Sequence, residues 1–400
     1  MWKGSFQPNA RAWLGAAALV GFGQQAFVVL RNPYLVDRGY SPQLVSSVQG
    51  VGAAAGILAG LLGLWALRRF SAGVALAVGV TVNALGFTIQ AIAASPAGFV
   101  AGAAIAGLGI QGITMSAAPF LTRASTLDER TRLFAVHGIA LQAIPGAMGA
   151  LVGGLVQRVA TASLGSLLAG YRVALGLGAL SVTAAWLFLA HVRDERPTSP
   201  RGTTLFRLRE PQRAAALLVP DALLFFGNGL TVPFLQLYFK DRFGLAPATI
   251  GGVYAAMMVI GGAGHLLSPR LAARFGVGRT ILATQALSLP LFAELLVARQ
   301  VPFAVAAFVL RQAILNMCLP LYGSLLHTSV VDEDSGPVAS YRMIVQSLLW
   351  AGANFVAGPL MAADGGGLRF VIAATMASYV LAITAGLVVY PRFGRRTTTT

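Results

Sequence analysis

Apolar segments of about 20 residues recur along the whole chain, and short stretches with arginine, glycine and proline separate them. A helix rises about 1.5 Å per residue, so each segment is long enough to cross about 30 Å of hydrocarbon. The pattern predicts membrane spans at 11–33, 43–66, 73–94, 97–120, 134–156, 168–190, 214–238, 247–268, 279–298, 302–327, 340–362 and 368–390. The predicted fold is therefore an all-α integral membrane protein with 12 transmembrane helices.

The longest polar stretch lies between the sixth and seventh predicted spans. It contains Pro197, Pro200 and Pro211, and prolines among polar residues are typical of a loop. We therefore predict four parts of the chain. They are an N-terminal six-helix bundle (1–190), a cytoplasmic linker (191–213), a C-terminal six-helix bundle (214–392) and a tail (393–400).

The two halves repeat each other at an offset of about 204 residues. At the end of the first predicted span stands YLVDRGYSP from Tyr34, and at the end of the seventh stands YFKDRFGLAP from Tyr238. Further on, RRFSAG from Arg68 matches ARFGVG from Ala273. Six spans separate each position from its repeat, so both copies enter the membrane from the same side. This arrangement predicts parallel repeats related by a pseudo-twofold axis along the membrane normal.

Parallel six-helix repeats resemble the major facilitator superfamily (MFS), and the resemblance extends over nearly the whole chain. The segment SPRLAARFGVGR from Ser268 is similar to that family's loop signature between the second and third helices of a half. Arg69 and Arg274 match the arginine of the signature. The signature has an acid before this arginine, whereas Arg68 and Ala273 stand there in this chain. The resemblance therefore does not carry the acid's gating role over to this chain.

The fifth predicted span contains the run GALVGG, with Gly149, Gly153 and Gly154. It resembles the G-P-x-x-G-G signature associated with antiporters of the same superfamily, with Ala150 in place of proline. Glycine also lets a neighbouring helix approach closely. The run therefore has two interpretations, a marker of export and ordinary packing of small residues.

Composition excludes several classes of protein. Hydrophobic residues make up 56% of the chain and charged residues 10%, whereas a soluble domain has about 25% charged residues. The net charge of +16 arises from residues that flank apolar segments, so we predict a lipid bilayer and no nucleic acid as partner. Cys318 is the single cysteine, and no Cys/His cluster has the spacing of metal ligands. No metal or cofactor is predicted.

Lys and Arg are concentrated in the segments that lie on the same side as the N-terminus, such as the predicted linker. Fewer of them, including Arg31 and Arg38, are assigned to loops on the other side. Cytoplasmic loops carry the excess of positive charge, so both termini are predicted to be cytoplasmic. The expected location is the cytoplasmic (inner) membrane, with multiple passes.

Few charged residues lie within the predicted spans, where each costs several kcal/mol. Arg311 lies near the middle of the tenth span, and the resemblance implies that this span lines a central cavity. We predict that Arg311 contacts substrate, because guanidinium binds carboxylate or phosphate in a bidentate manner. The alternative is that Arg311 forms a buried pair with Glu294.

Asp221 is the first candidate for proton coupling and Glu294 is the second. The alternative for Asp221 is an interfacial acid paired with Arg213.

Uncharged polar residues also recur in the predicted spans. Gln24 and Asn228 occupy the same position in the two repeats. This symmetry favours a ring of polar groups around a substrate, although each residue alone is more often an interhelical hydrogen bond of about 1 kcal/mol. The predicted substrate-binding residues are Gln24, Gln25, Gln111, Asn228, Arg311, Asn316, Gln346 and Trp350.

The predicted function is secondary active transport of a small organic solute by alternating access. Within it, proton-coupled efflux of an amphipathic or hydrophobic compound by a monomer is the first hypothesis. Uptake of an anionic metabolite through Arg311 and translocation of a lipid or lysolipid are the alternatives. A membrane enzyme needs clustered His, Asp and Glu or a nucleophile with its base, and the sequence shows neither. A non-transporting polytopic membrane protein is the remaining alternative of a different class.

Overall fold

The computed structural model describes residues 6–192 and 208–393, so most of the predicted linker and nearly all of the predicted tail lie outside the described residues. The first six helical elements are α1 (Pro8–Asp37), α2 (Pro42–Arg69), α3 (Ala72–Ile92), α4 (Pro96–Arg123), α5 (Leu127–Gly138, Ile139–Ala143 and Ile144–Leu164) and α6 (Leu167–Ala184, then Trp186–Leu189). The next six are α7 (Pro211–Thr231, Val232–Phe234 and Leu235–Phe243), α8 (Pro247–Phe275), α9 (Val277–Val297), α10 (Val301–Ser329), α11 (Asp332–Ala363) and α12 (Arg369–Phe393).

These helices follow the predicted spans one by one. In the described ranges 11 helices are long and apolar enough to cross a membrane. Helix α8 bends by 46° between Gly262 and Leu267 and makes a twelfth if its two parts form one span. The prediction of an all-α multi-pass membrane protein is confirmed.

The repeated sequence at the ends of α1 and α7 forms the same turn twice. Gly39 (φ 80°) and Gly244 (φ 61°) have the left-handed backbone conformation, which glycine adopts without a steric penalty. Pro42 and Pro247 then begin α2 and α8, where a missing backbone N–H costs no hydrogen bond. The glycine and proline of the repeat therefore place a helix end and a helix start in each half.

Two helices are interrupted next to proline. In α5 the five residues Ile139–Ala143 form a π-helical turn before Pro145, and in α7 the residues Val232–Phe234 form a 3₁₀ turn around Pro233. Proline lacks a backbone N–H and clashes with the carbonyl group four residues before it, which disturbs the regular α-helical hydrogen bonds; in these two helices a π turn and a 3₁₀ turn replace them.

Contacts divide the chain into two compact units: residues 1–201 with 239–258, and residues 202–238 with 259–400. In the first unit α1 packs against α5 and α6, and α3 packs against α4 and α6. In the second unit α7 packs against α11 and α12, and α9 packs against α10 and α12. Each pair in the second unit lies six helices after its counterpart, as expected for a duplicated bundle.

The first unit includes 239–258, which the sequence assigned to the second repeat. The ammonium group of Lys240 lies 2.8 Å from Oδ1 of Asp37. Tyr171 donates a hydrogen bond to the other carboxylate oxygen of Asp37 at 2.9 Å. The division by contacts therefore differs from the division by sequence repeat at this segment.

Candidate functional site

The carboxylate of Asp221 is buried in the second unit, between α7 and α11. Its side chain is 1% exposed, and Arg342 holds both oxygens: Nε donates to Oδ2 at 2.7 Å and Nη2 donates to Oδ1 at 3.1 Å. Gln346, one turn along α11, donates a third hydrogen bond to Oδ2 at 2.7 Å. Asp221 is therefore paired with Arg342 rather than with Arg213, which lies 3.9 Å from Glu210.

Aromatic and amide side chains of α9 and α10 surround this pair. The guanidinium of Arg342 lies 5.8 Å from the ring centre of Tyr322, and Gln285 donates a hydrogen bond to the Tyr322 hydroxyl. The Arg342 side chain keeps 17% of its surface exposed. The pair is neutral as a whole, and Arg342 is its more accessible partner.

A second polar cluster surrounds Arg311 near the middle of α10. Its side chain is 0% exposed, and its Nη1 and Nη2 donate to Oδ1 of Asn228 at 3.3 Å and to Oε1 of Gln312 at 3.0 Å. The hydroxyl of Tyr379 donates to the same Asn228 oxygen at 3.0 Å, and the guanidinium lies 4.9 Å from the ring centre of Phe292. Amide oxygens and an aromatic face therefore fix the plane of a buried guanidinium.

This cluster reaches the surface of the unit through Gln312 and Asn316, which are both partly exposed. Gln312 donates to Oδ1 of Asn316 at 3.1 Å. Glu294 on α9 is also partly exposed. The alternative in which Glu294 pairs with Arg311 stays a prediction.

The other predicted binding residues are distributed between the two units. Trp350 packs against Phe225, with ring centres 6.4 Å apart, in the second unit. Gln24, Gln25 and Gln111 are partly buried in the first unit, and the Oε1 atom of Gln24 accepts no hydrogen bond from a described group. The structure thus joins Asn228, Arg311 and Asn316 in one cluster and Asp221 and Gln346 in another.

The arginines of the loop signature lie at helix ends. Arg69 and Arg274 are exposed, and the Arg274 guanidinium lies 5.3 Å from the ring centre of its neighbour Phe275. Their part in the loop signature remains a prediction from the resemblance.

The glycine run of α5 is a site of close helix packing within the first unit. A Cβ atom on Gly149 would overlap the carbonyl oxygen of Phe22, and a Cβ atom on Gly153 would lie 3.0 Å from Cα of Ala26. A Cβ atom on Gly154 would lie 2.7 Å from the carbonyl oxygen of Pro247. Packing alone is a sufficient reason for three glycines at these positions.

We predict that Gly149→Ala lowers the thermal stability of the purified protein, because the added methyl group meets backbone on α1 rather than a flexible side chain. The matched control is Gly176→Ala in the same unit, where nothing lies within 4 Å of the added carbon. Thermal unfolding in detergent measures both variants. If Gly149→Ala has the same melting temperature as wild type and loses only its transport activity, the glycine run serves transport and the packing interpretation is wrong.

Sequence reasoning missed the positions of three polar residues. Arg342 was not identified as the partner of Asp221, and Tyr379 was not singled out. Arg31 was counted with the loops although it falls within the predicted span 11–33; α1 continues to Asp37, and Arg31 is 6% exposed. The described residues contain no group of three His, Cys, Asp or Glu side chains that could hold a metal ion.

Comparison with known proteins places this fold in one family. The profile described as Major Facilitator Superfamily matches residues 13–354. No curated protein matches the sequence at a significant level. A bacterial homologue of the human lysosomal transporter Spinster, in an inward-facing conformation, has a TM-score of 0.80 and 15% identity, with 98% of each chain covered.

Two further solved structures have the same fold. A D-xylose–proton symporter has a TM-score of 0.75 and 15% identity, covering 98% of this chain and 99% of its own. The human organic anion transporter MFSD10 has a TM-score of 0.62 and 16% identity, covering 95% of this chain and 99% of its own. Family membership identifies a secondary transporter of small molecules rather than an enzyme. The fold and the profile match agree, and this chain belongs to the Major Facilitator Superfamily.

Proposed function

We propose that this secondary transporter exports an amphipathic organic compound in exchange for protons, with Asp221 as the proton-carrying group. The transporter would act as a monomer in the cytoplasmic membrane, with both termini in the cytoplasm. Each cycle would bind a proton and the compound in different states of the protein.

The buried pair of Asp221 and Arg342 is the observation that carries this proposal. A coupling group must change charge during the cycle and must be held in a site that responds to that change. Asp221 is buried, and one proton removes the charge that the bidentate pair with Arg342 requires. Arg342 is partly exposed, so the freed guanidinium can exchange its partner for an anionic group or water.

Export rather than import is supported by the sequence resemblance of the glycine run around Gly149, even though packing also accounts for its glycines. Coupling to protons has a precedent in the D-xylose–proton symporter of the same fold. The apolar composition of the helices favours a compound with a large apolar part.

Uptake of an anionic metabolite is the second candidate, and the Arg311 cluster favours it. Asn228 and Gln312 orient a guanidinium whose planar edge suits a carboxylate or phosphate. An organic anion transporter is among the proteins that share the fold.

Ligand screening followed by transport measurement tests the proposal. Purified protein is heated with each member of a metabolite and drug panel, and a compound at 100 times its dissociation constant should stabilise it by about 2.7 kcal/mol. Each stabilising compound is then loaded into proteoliposomes with an imposed pH gradient, and the direction of proton-driven movement is read with protein of known orientation. Accumulation of an amphipathic compound against its gradient, in exchange for protons, is the expected result. A gradient-independent flux, or proton-driven entry only, contradicts the proposal.

A further inference from the structure

The first unit contains a buried cation that the proposed function does not use. Arg31 lies on α1, six residues before the helix ends and thus about 9 Å along its axis from that end. The side chain is 6% exposed. A charge in such a position is costly unless it is compensated by an opposite charge.

Neutral amides surround this cation. Nη2 of Arg31 donates to Oε1 of Gln49 on α2, and Nη1 donates to Oε1 of Gln90 on α3 at 3.5 Å. Gln49 in turn donates to Oδ1 of Asn32 at 3.4 Å. The Nε atom of Arg31 is buried and donates to no described group.

The positive charge of Arg31 has no carboxylate in contact among the described residues. Asp37 lies farther along the same helix, and each of its carboxylate oxygens has another partner. The ammonium group of Lys240 lies 2.8 Å from one oxygen, and the Tyr171 hydroxyl donates to the other at 2.9 Å. Three helices thus converge on a guanidinium with one unused donor and an uncompensated charge.

The internal repeat shows that the bundle does not need these polar residues. Arg31 corresponds to Leu235 at an offset of 204 residues, and Gln49 and Gln90 correspond to Tyr254 and Leu295 at 205 residues, the offset of the later repeated motif. Leu235 and Leu295 are buried apolar residues, and Tyr254 is a buried aromatic residue. The second copy has neither the arginine nor the two glutamines at these positions, so the three residues form a set that only the first copy carries.

We propose that Arg31, with Gln49 and Gln90, forms an anion-binding site for the oxygens of a carboxylate or phosphate group. The anion offsets the buried charge and accepts from Nε, while the two glutamines orient the guanidinium. Gln49 is partly exposed, so the anion reaches the guanidinium past the side chain of Gln49. The same oxygen chemistry is available from a dissolved carboxylate and from the phosphate of an anionic lipid, since the site lies near the end of a membrane helix.

Thermal unfolding of the purified protein tests the site with sodium benzoate as the probe, at constant ionic strength balanced with sodium chloride. Wild type should be stabilised in a saturable manner. Arg31→Gln should raise the apparent Kd of benzoate by about tenfold or more, since a charge-assisted hydrogen bond is lost. Arg158→Gln is the matched control, because it removes the same charge from an exposed arginine of the same unit, and it should keep the effect of benzoate.

Added phosphatidylglycerol separates the two sources of the anion. If a lipid phosphate fills the site, the lipid stabilises wild type but not Arg31→Gln, and it abolishes the benzoate effect. If Arg31→Gln does not fold, Arg31→Lys tests the site instead. This variant keeps the positive charge but loses the planar set of donors, so it should bind benzoate more weakly than wild type. The proposal is overturned if neither anion stabilises wild type, or if the Arg31 variants bind both anions as wild type does. No transport is measured, so this result is independent of the proposed function.

Discussion

Asp221→Asn is expected to abolish proton-driven accumulation of substrate and to leave exchange of substrate at equal pH intact. Asparagine has a similar shape but cannot exchange a proton, so the cycle loses its coupling ion. The measurement compares accumulation under a pH gradient with counterflow without one, in proteoliposomes and with a ligand found by the panel. Proton-driven accumulation that persists in Asp221→Asn would show that another group carries the proton, with Glu294 as the next candidate.

The same substitution is also expected to lower thermal stability. Arg342 loses a bidentate carboxylate in a largely buried position, and breaking such a pair costs about 3 kcal/mol. Asp241→Asn is the matched control, because this carboxylate is 37% exposed and its partner Lys240, 3.9 Å away, also lies 2.8 Å from Asp37. The double variant Asp221→Asn/Arg342→Gln should recover part of the loss, because neither charge is then left alone. A purely additive double variant would show that the pair is not energetically coupled.

The fold could be predicted largely from sequence because a membrane imposes a simple length requirement. Each apolar segment had to be a helix, since no water is available to backbone groups in hydrocarbon. The repeat around Tyr34 and Tyr238 indicates the duplication by itself. The turns at Gly39 and Gly244 show why: the same local sequence makes the same helix end twice.

The site could be predicted only in part, because a sequence gives the depth of a residue in a span but not the direction of its side chain. Asp221 was identified as a buried acid, yet its partner Arg342 is 121 residues away on a different helix. Arg31 was misplaced for a related reason. It stands two residues before the predicted end of the first span, whereas α1 continues to Asp37, and amides from α2 and α3 contact the guanidinium.

Arg311→Ala is expected to reduce transport of an anionic substrate by about a hundredfold, with a much smaller effect on thermal stability than Asp221→Asn. A hydrogen bond to a charged group contributes about 1.5–3 kcal/mol, and a bidentate contact contributes two of them. Stability should change little because Asn228 keeps its hydrogen bond from Tyr379, and the partly exposed Gln312 can turn to water. Initial rates of transport and melting temperatures measure the two effects.

Two further variants decide what the Arg311 charge does. Arg311→Lys keeps the charge but not the planar pair of donors, so it should retain a fraction of anion transport between wild type and Arg311→Ala. Arg392→Ala removes the same charge at an exposed end of α12 and should transport as wild type does. If Arg311→Ala still moves a compound without an acidic group at the wild-type rate while anions are lost, Arg311 selects anions rather than supporting the cycle. Equal loss for neutral and anionic compounds would instead mean that the guanidinium serves the conformational change, and the uptake hypothesis would lose the observation on which it rests.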